Sequence, residues 1–136
     1  MFEQELRHIE NYVYIEKLRF EDRLRVHYNI KDSNFFVPAL SVQTLVENAI
    51  KHGLMRLEIG GTVVIRSYEI PTHFCIEVMD NGAGFDTAIP IDEKKHIGLR
   101  NIRERLKAMV NGDLVIESKP GVGTKAVIMI PKEVTV

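Results

Sequence analysis

A single cysteine, Cys75, stands among the 136 residues, so the chain can form no internal disulfide, and the residue reads as a small buried strand position. The five histidines are scattered, with no zinc-ligand spacing. Charge of one sign is also lacking. Eighteen Lys and Arg against 19 Asp and Glu leave a formal charge of -1, which supplies no electrostatic excess for gripping nucleic acid or anionic lipid. No apolar run approaches the roughly 20 residues that cross a bilayer. The opening Met1-Phe2-Glu3-Gln4-Glu5 has neither the basic nor the apolar region of a secretory signal. These absences describe a cytoplasmic piece that inserts in no membrane, while the charged helical opening suits a segment of a longer, membrane-anchored parent. The pattern G-x-x-x-x-G-K-[ST] is missing, and Gly82-Ala83-Gly84 is followed by Thr87 where a dinucleotide fingerprint needs a third glycine. Both gaps argue against a Walker ATPase and a Rossmann dehydrogenase.

What is present suffices for one compact domain: 45% of residues are hydrophobic and 27% charged. Phe2, Leu6, Ile9, Val13 and Phe20 recur at intervals of three, four or seven, which predicts an amphipathic helix over residues 2–20. Leu24, Val26, Tyr28 and Ile30 alternate with polar neighbours as in a half-buried strand. A second helix follows, with Pro38 in its first turn, apolar positions Val42, Leu45, Val46 and Ala49, and Gly53 as C-cap. Two strand-like runs, 62–68 and 74–79, read as an antiparallel pair, residues 81–95 as loop, and Leu99, Ile102, Leu106 and Met109 as a third helical stripe. Asn111-Gly112-Asp113 ends that helix, and two last strands, 114–118 and 124–130, flank a turn at Pro120-Gly121-Val122-Gly123. The order α-β-α-β-β-α-β-β predicts an α+β two-layer α/β sandwich, its sheet mixed and mostly antiparallel, with helices on one face.

Four places carry polar groups whose types could serve chemistry, each beside a plain structural alternative. At about 100° per residue the second helix gathers Thr44, Glu47, Asn48, Lys51 and His52 on the face opposite its apolar arc. That set offers an amide oxygen for magnesium, a carboxylate able to orient or deprotonate a nucleophile, and cations for phosphate. A solvated face with a Glu47 to Lys51 pair would look the same. In Asp80-Asn81-Gly82-Ala83-Gly84-Phe85, strand parity turns Asp80 toward the core with Phe74, Ile76 and Val78, where a carboxylate needs a donor such as an adenine amino group. The alternative there is an Asn-Gly hairpin, although the next clear element is a helix and not a return strand. His96-Ile97-Gly98-Leu99-Arg100-Asn101 opens the third helix with free N–H groups for phosphate oxygens. Gly121-Val122-Gly123-Thr124 opens the last strand with a hydroxyl on the core face, and equally resembles an ordinary Pro-Gly turn.

Taken in order, Leu45-Val46-Glu47-Asn48-Ala49-Ile50-Lys51-His52-Gly53, Asp80-Asn81-Gly82-Ala83-Gly84-Phe85, Ile97-Gly98-Leu99-Arg100-Asn101-Ile102 and Gly121-Val122-Gly123-Thr124 resemble the N, G1, G2 and GT boxes of GHKL ATPases. The flanks Tyr14-Ile15-Glu16-Lys17-Leu18-Arg19-Phe20-Glu21-Asp22-Arg23-Leu24 and Gln43-Thr44 are similar to LytS-type sensor histidine kinases. The resemblance implies a Bergerat fold over residues 23–136, a helical linker over 1–22 and a lid over 84–97. It further implies ATP and Mg²⁺ as cofactors, Asn48 holding the metal, Glu47 as catalytic base or polarising carboxylate, and Lys51 or His52 facing phosphates. Asp80 would accept from the adenine amino group, Gly82 and Gly84 shape the base pocket, Gly98 and Leu99 cover the phosphates, and Thr124 support Asp80 through water. The implied reaction moves the γ-phosphoryl of ATP to a histidine on a separate dimerisation domain, and from there to a response regulator, in a homodimeric parent. His96 departs from the glycine that often opens the G2 box. No acceptor motif surrounds His8, so the chain is expected to bind ATP without phosphorylating itself. Other readings of the same boxes are an anti-sigma serine kinase and a noncatalytic nucleotide-sensing module.

Overall fold

A computed structural model describes residues 1–54, 60–82 and 97–132. Helix α1 spans Phe2–Phe20, α2 Ser41–Asn48 and α3 Ile97–Val110; strands β1 to β5 span Leu24–Ile30, Gly61–Glu69, His73–Asp80, Asp113–Lys119 and Gly123–Pro131. The strands form one sheet in the order β1-β2-β3-β5-β4. β1 runs parallel to β2 and every other pairing is antiparallel, so the sheet is mixed. This is the two-layer α+β architecture that the element order predicts. No described helix is long and apolar enough to cross a membrane.

Strand parity builds the core. Val63 and Ile65 of β2, Ile76 and Val78 of β3, and Ala126, Ile128 and Ile130 of β5 face the helices and are buried. The helices answer with Ile9 and Val13 of α1, Val42, Leu45 and Val46 of α2, and Ile102 and Leu106 of α3, all in the same cluster. Removing this much apolar surface from water supplies the main drive for folding, about 25 cal/mol per Å². On the far face, Glu77 lies buried between Arg66 at 2.9 Å, Tyr68 at 3.2 Å and Lys125 at 3.4 Å. Cys75 is buried beside them, and burial pushes its thiol above the usual range, as suits a structural residue.

The helix expected to lead into the domain packs into the same core as the rest. Phe2 of α1 is fully buried, its ring 5.4 Å from Phe35, which stacks on Phe74 of β3 at 4.8 Å. The first N–H groups of α1, which have no partner within the helix, donate to Phe35 and Ser33 carbonyls. The inner face of α1 also carries two buried carboxylates, Glu5 and Glu16, that the apolar spacing alone did not single out.

Three expectations about helix ends and faces need correction. Pro38 stands ahead of α2 in a turn closed by the Ser41 N–H on the Pro38 carbonyl, because Leu40 adopts a left-handed conformation (φ 66°) that no helix interior accepts. Gly53 is not a C-cap: α2 passes at Ala49 into a π-helical turn, Ala49–Leu54, that includes it. Met109 is 56% exposed: the inward stripe of α3 runs through Ile102 and Leu106 to Val110, which packs against the core, and Met109 lies off it. Asn111, at φ 53°, does end α3, and the Gly112 N–H returns to the Leu106 carbonyl.

Candidate functional site

Helix α2 and the turn that follows it bury Val42, Leu45, Val46, Ala49 and Ile50, and α2 turns Thr44, Glu47 and Asn48 to its half-buried opposite side. Three of the five residues expected on the polar face thus share one side of α2, and the other two follow in the turn beyond it. Thr44 donates its hydroxyl to the Leu40 carbonyl at 2.6 Å, and Gln43 donates to Glu47 Oε1 at 3.2 Å, which fixes the carboxylate against its own helix. The change to π geometry directly after Asn48 widens the turn and packs it on β2, β3 and β5. Such turns recur at functional sites because they re-aim side chains. Lys51 is exposed; the His52 side chain lies outside the described residues.

Asp80 ends β3 on the helix-facing side, as parity requires, and is half-buried. Its Oδ1 accepts the Gly82 N–H at 2.8 Å. Burial raises its pKa above the ordinary carboxylate value, and the main-chain N–H groups of Gly82 and Thr124 oppose that rise. Thr124 is the register partner of Asp80 across β3 and β5. Its main-chain N–H bears on the Asp80 carboxylate, and its hydroxyl lies 2.8 Å from that of Ser118 on β4. Asn81 closes the strand end by accepting the Thr62 N–H at 2.8 Å.

The start of α3 is brought against the end of α2. A Cβ on Gly98 would stand 3.6 Å from both Asn48 Nδ2 and Thr44 Cγ2, so the glycine leaves room beside the Asn48 amide. Leu99 is buried directly after it. From this contact an open groove of about 610 Å³ runs between the two helices past Leu40, Asn101, Arg105 and Met109. Gly84 and most of the expected lid fall outside the described residues.

Two further residues belong to the candidate site and were not singled out as functional from the sequence, and a third lies on the neighbouring helix. Gly123 holds φ 139°, and a Cβ there would sit 2.1 Å from the Asp80 carbonyl oxygen, so the close approach of β5 to the end of β3 requires glycine. It lay within the Gly121-Val122-Gly123-Thr124 run. Ser118, partner of the Thr124 hydroxyl, carries no sequence signal, since only the β4–β5 register places it there. Tyr12 of α1 has a buried hydroxyl with no partner among the described residues. Burial, then the charges of Glu16 and Glu47, push its pKa up to about 12, which places it in electrostatic range of Glu47.

Chemically, a desolvated carboxylate with two main-chain donors on it can accept from the amino edge of a base, and an amide beside an open glycine can meet a metal-bound phosphate. No cluster of three or more His, Cys, Asp or Glu exists among the described residues. A lone amide oxygen fits Mg²⁺, which keeps waters and substrate phosphates in its shell and needs one or two protein ligands.

Residues 39–134 match the model of the family described as histidine kinase-, DNA gyrase B-, and HSP90-like ATPase. The chain is similar to YwpD of Bacillus subtilis, 37% identical over 136 residues that cover 95% of this chain and 49% of that protein. It is similar to the sensor histidine kinase YpdA of Escherichia coli, 35% identical over 97% of this chain and 24% of that one, and to the sensor protein LytS of Bacillus anthracis, 33% identical over 97% and 25%. It thus spans between about a quarter and a half of the length of these relatives. Among solved structures, the histidine kinase domain of the Erythrobacter litoralis blue-light activated kinase superposes with TM-score 0.71 at 21% identity, covering 88% of this chain and 56% of that one. The catalytic domain of the histidine kinase ThkA does so with TM-score 0.68 at 17% identity, covering 96% and 92%, which agrees in fold. By the family match over most of its length, the chain belongs to the histidine kinase-, DNA gyrase B- and HSP90-like ATPases, as a homologue of the ATP-binding domains of sensor histidine kinases.

Proposed function

We propose that the chain is the catalytic domain of a LytS-type sensor histidine kinase, transferring the γ-phosphoryl of ATP to a histidine on a dimerisation domain of a longer parent. The observation that carries the reading is the pairing of two half-sites. Asp80 with Gly82 and Thr124 forms one end, and Asn48 with Gly98 forms the other, on elements packed against the same strands. In this reading the adenine amino group donates to Asp80, and Gly82 lets the base approach. Gly84 would shape the base pocket with Gly82, and Gly98 and Leu99 would cover the phosphates at the start of α3. Asn48 would hold Mg²⁺, which supplies charge neutralisation at the transferring phosphoryl. Lys51 and His52 add cationic charge at the same end. Glu47, held by Gln43, orients or accepts the proton of the incoming imidazole. Catalysis of this kind rests on positioning and electrostatics, with little covalent chemistry for the protein. The domain would work at the cytoplasmic side of a membrane-anchored homodimer, and the phosphohistidine would then serve a response regulator.

Calorimetric titration with ATP, with and without Mg²⁺, tests binding; adding the parent's acceptor domain in trans tests transfer. Acid-labile phosphate on the acceptor histidine is the expected product, with none on His8 of the chain alone. Acid-stable phosphoserine would point to the serine kinase branch, and ATP binding without any transfer to a nucleotide sensor.

A further inference from the structure

We propose that Glu5 is a positioning residue for the phosphate end of the nucleotide site, reaching from α1 to cap the N-terminus of α2 and so setting where Asn48, at the other end of that helix, stands against Gly98. The inference rests on the nucleotide-site reading above. Helix α2 begins without a cap of its own, since Leu40 at the N-cap position makes no side-chain bond to the first turn. Its leading N–H groups therefore need an acceptor from elsewhere. Glu5 Oε2 accepts the Val42 N–H at 3.2 Å, and the Leu40 N–H also bears on the same carboxylate. Glu5 is 7% exposed, and its second oxygen, like the Ser41 hydroxyl, is buried with no partner among the described residues.

A carboxylate held this way is costly. Burial raises its pKa, against the two N–H groups of α2, the Arg105 guanidinium of α3 and the His8 imidazole of α1, which all favour the charged form. An apolar residue would fill the same space without that cost, so the carboxylate is best explained by what it holds. α2 is two turns long, about 12 Å, and moves as one body, so a shift at Val42 carries through to Asn48. Arg105 of α3, the helix that brings Gly98, lies in electrostatic range of the same carboxylate.

The test compares Glu5→Ala and Glu5→Gln with the wild-type chain by ATP titration with and without Mg²⁺, beside melting curves and amide exchange of the nucleotide-free proteins. Glu5→Gln keeps an oxygen for the Val42 N–H and should stay within about twofold of wild type in Mg²⁺-ATP affinity. Glu5→Ala should lose about tenfold in Mg²⁺-ATP affinity and exchange its Val42 amide faster, while Mg²⁺-free ATP affinity, read through Asp80, changes by no more than about twofold. A folded Glu5→Ala variant with wild-type Mg²⁺-ATP affinity, however low its Tm, would overturn the assignment and leave a merely structural cap. If Glu5→Ala does not fold, Glu5→Asp, too short to reach Val42, carries the same comparison. A wild-type chain that binds no nucleotide would overturn the site reading and this proposal together, whereas wild-type binding with an indifferent variant overturns the Glu5 role alone.

Discussion

Asp80 is held half-buried with the main-chain N–H groups of Gly82 and Thr124 on its carboxylate, and that position sets recognition against stability. A carboxylate whose folded pKa lies above its unfolded value binds protons more readily in the folded state. Its contribution to stability is therefore fully present below the unfolded pKa, and is lost as pH rises through the folded one. Asp80→Asn keeps an oxygen for the Gly82 N–H and removes the buried charge. It should melt a few degrees higher than wild type in mildly alkaline buffer, about 4 °C for each kcal/mol relieved, with the difference shrinking in acid. The same variant should bind ATP at least about tenfold more weakly by calorimetry, because the amide cannot serve the adenine amino group as a carboxylate does. Gly98→Ala separates the two properties differently. The added methyl would rest in ordinary contact with Asn48 and Thr44, and alanine favours helix over glycine, so the melting point should hold or rise. Mg²⁺-ATP affinity should fall about fivefold, since the methyl takes the space beside the Asn48 amide.

At the scale of elements, the site depends on where β5 meets β3. Gly123 brings the start of β5 against the Asp80 carbonyl with a backbone angle that L-residues rarely adopt. Gly123→Ala should therefore cost about 2 kcal/mol or more, read as a lowered urea midpoint. Weaker ATP binding should follow, because Thr124 and the Asp80 carboxylate share that register. The elements themselves were legible from period and punctuation: the apolar spacing of α2, the alternation in β2 and β3, and the Asn111 stop of α3 all stand close to where patterning puts them. The start of α2 and its π-helical end were not. Leu40 in a left-handed conformation and a widened turn at Ala49–Leu54 are tolerated because the sheet and α1 hold them, and no local propensity announces either.

For the whole molecule, α1 is part of the common core. Phe2, Ile9 and Val13 are buried in the common core, and fully burying three such side chains contributes on the order of 5–9 kcal/mol as an upper estimate. That is comparable to the entire stability of an ordinary domain, about 5–15 kcal/mol. A chain starting at residue 23 should therefore lose its cooperative transition in thermal melts followed by circular dichroism. Cooperative melting of that shorter chain near the full-length Tm would instead show that α1 only decorates the domain.

The sequence by itself determined the chemistry on offer and the class of the fold. The four boxes, the parity of Asp80 and the polar face of α2 are written in residue type and spacing, and physical periodicity turns spacing into faces. Only the tertiary structure decided which groups meet. Glu5 on Val42, Gly123 on Asp80, Ser118 on Thr124 and Gly98 beside Asn48 join residues far apart in the chain or set by strand register. Local patterning carries the period of one element, whereas these contacts depend on how several elements pack together, and that packing is set by the burial of the shared core.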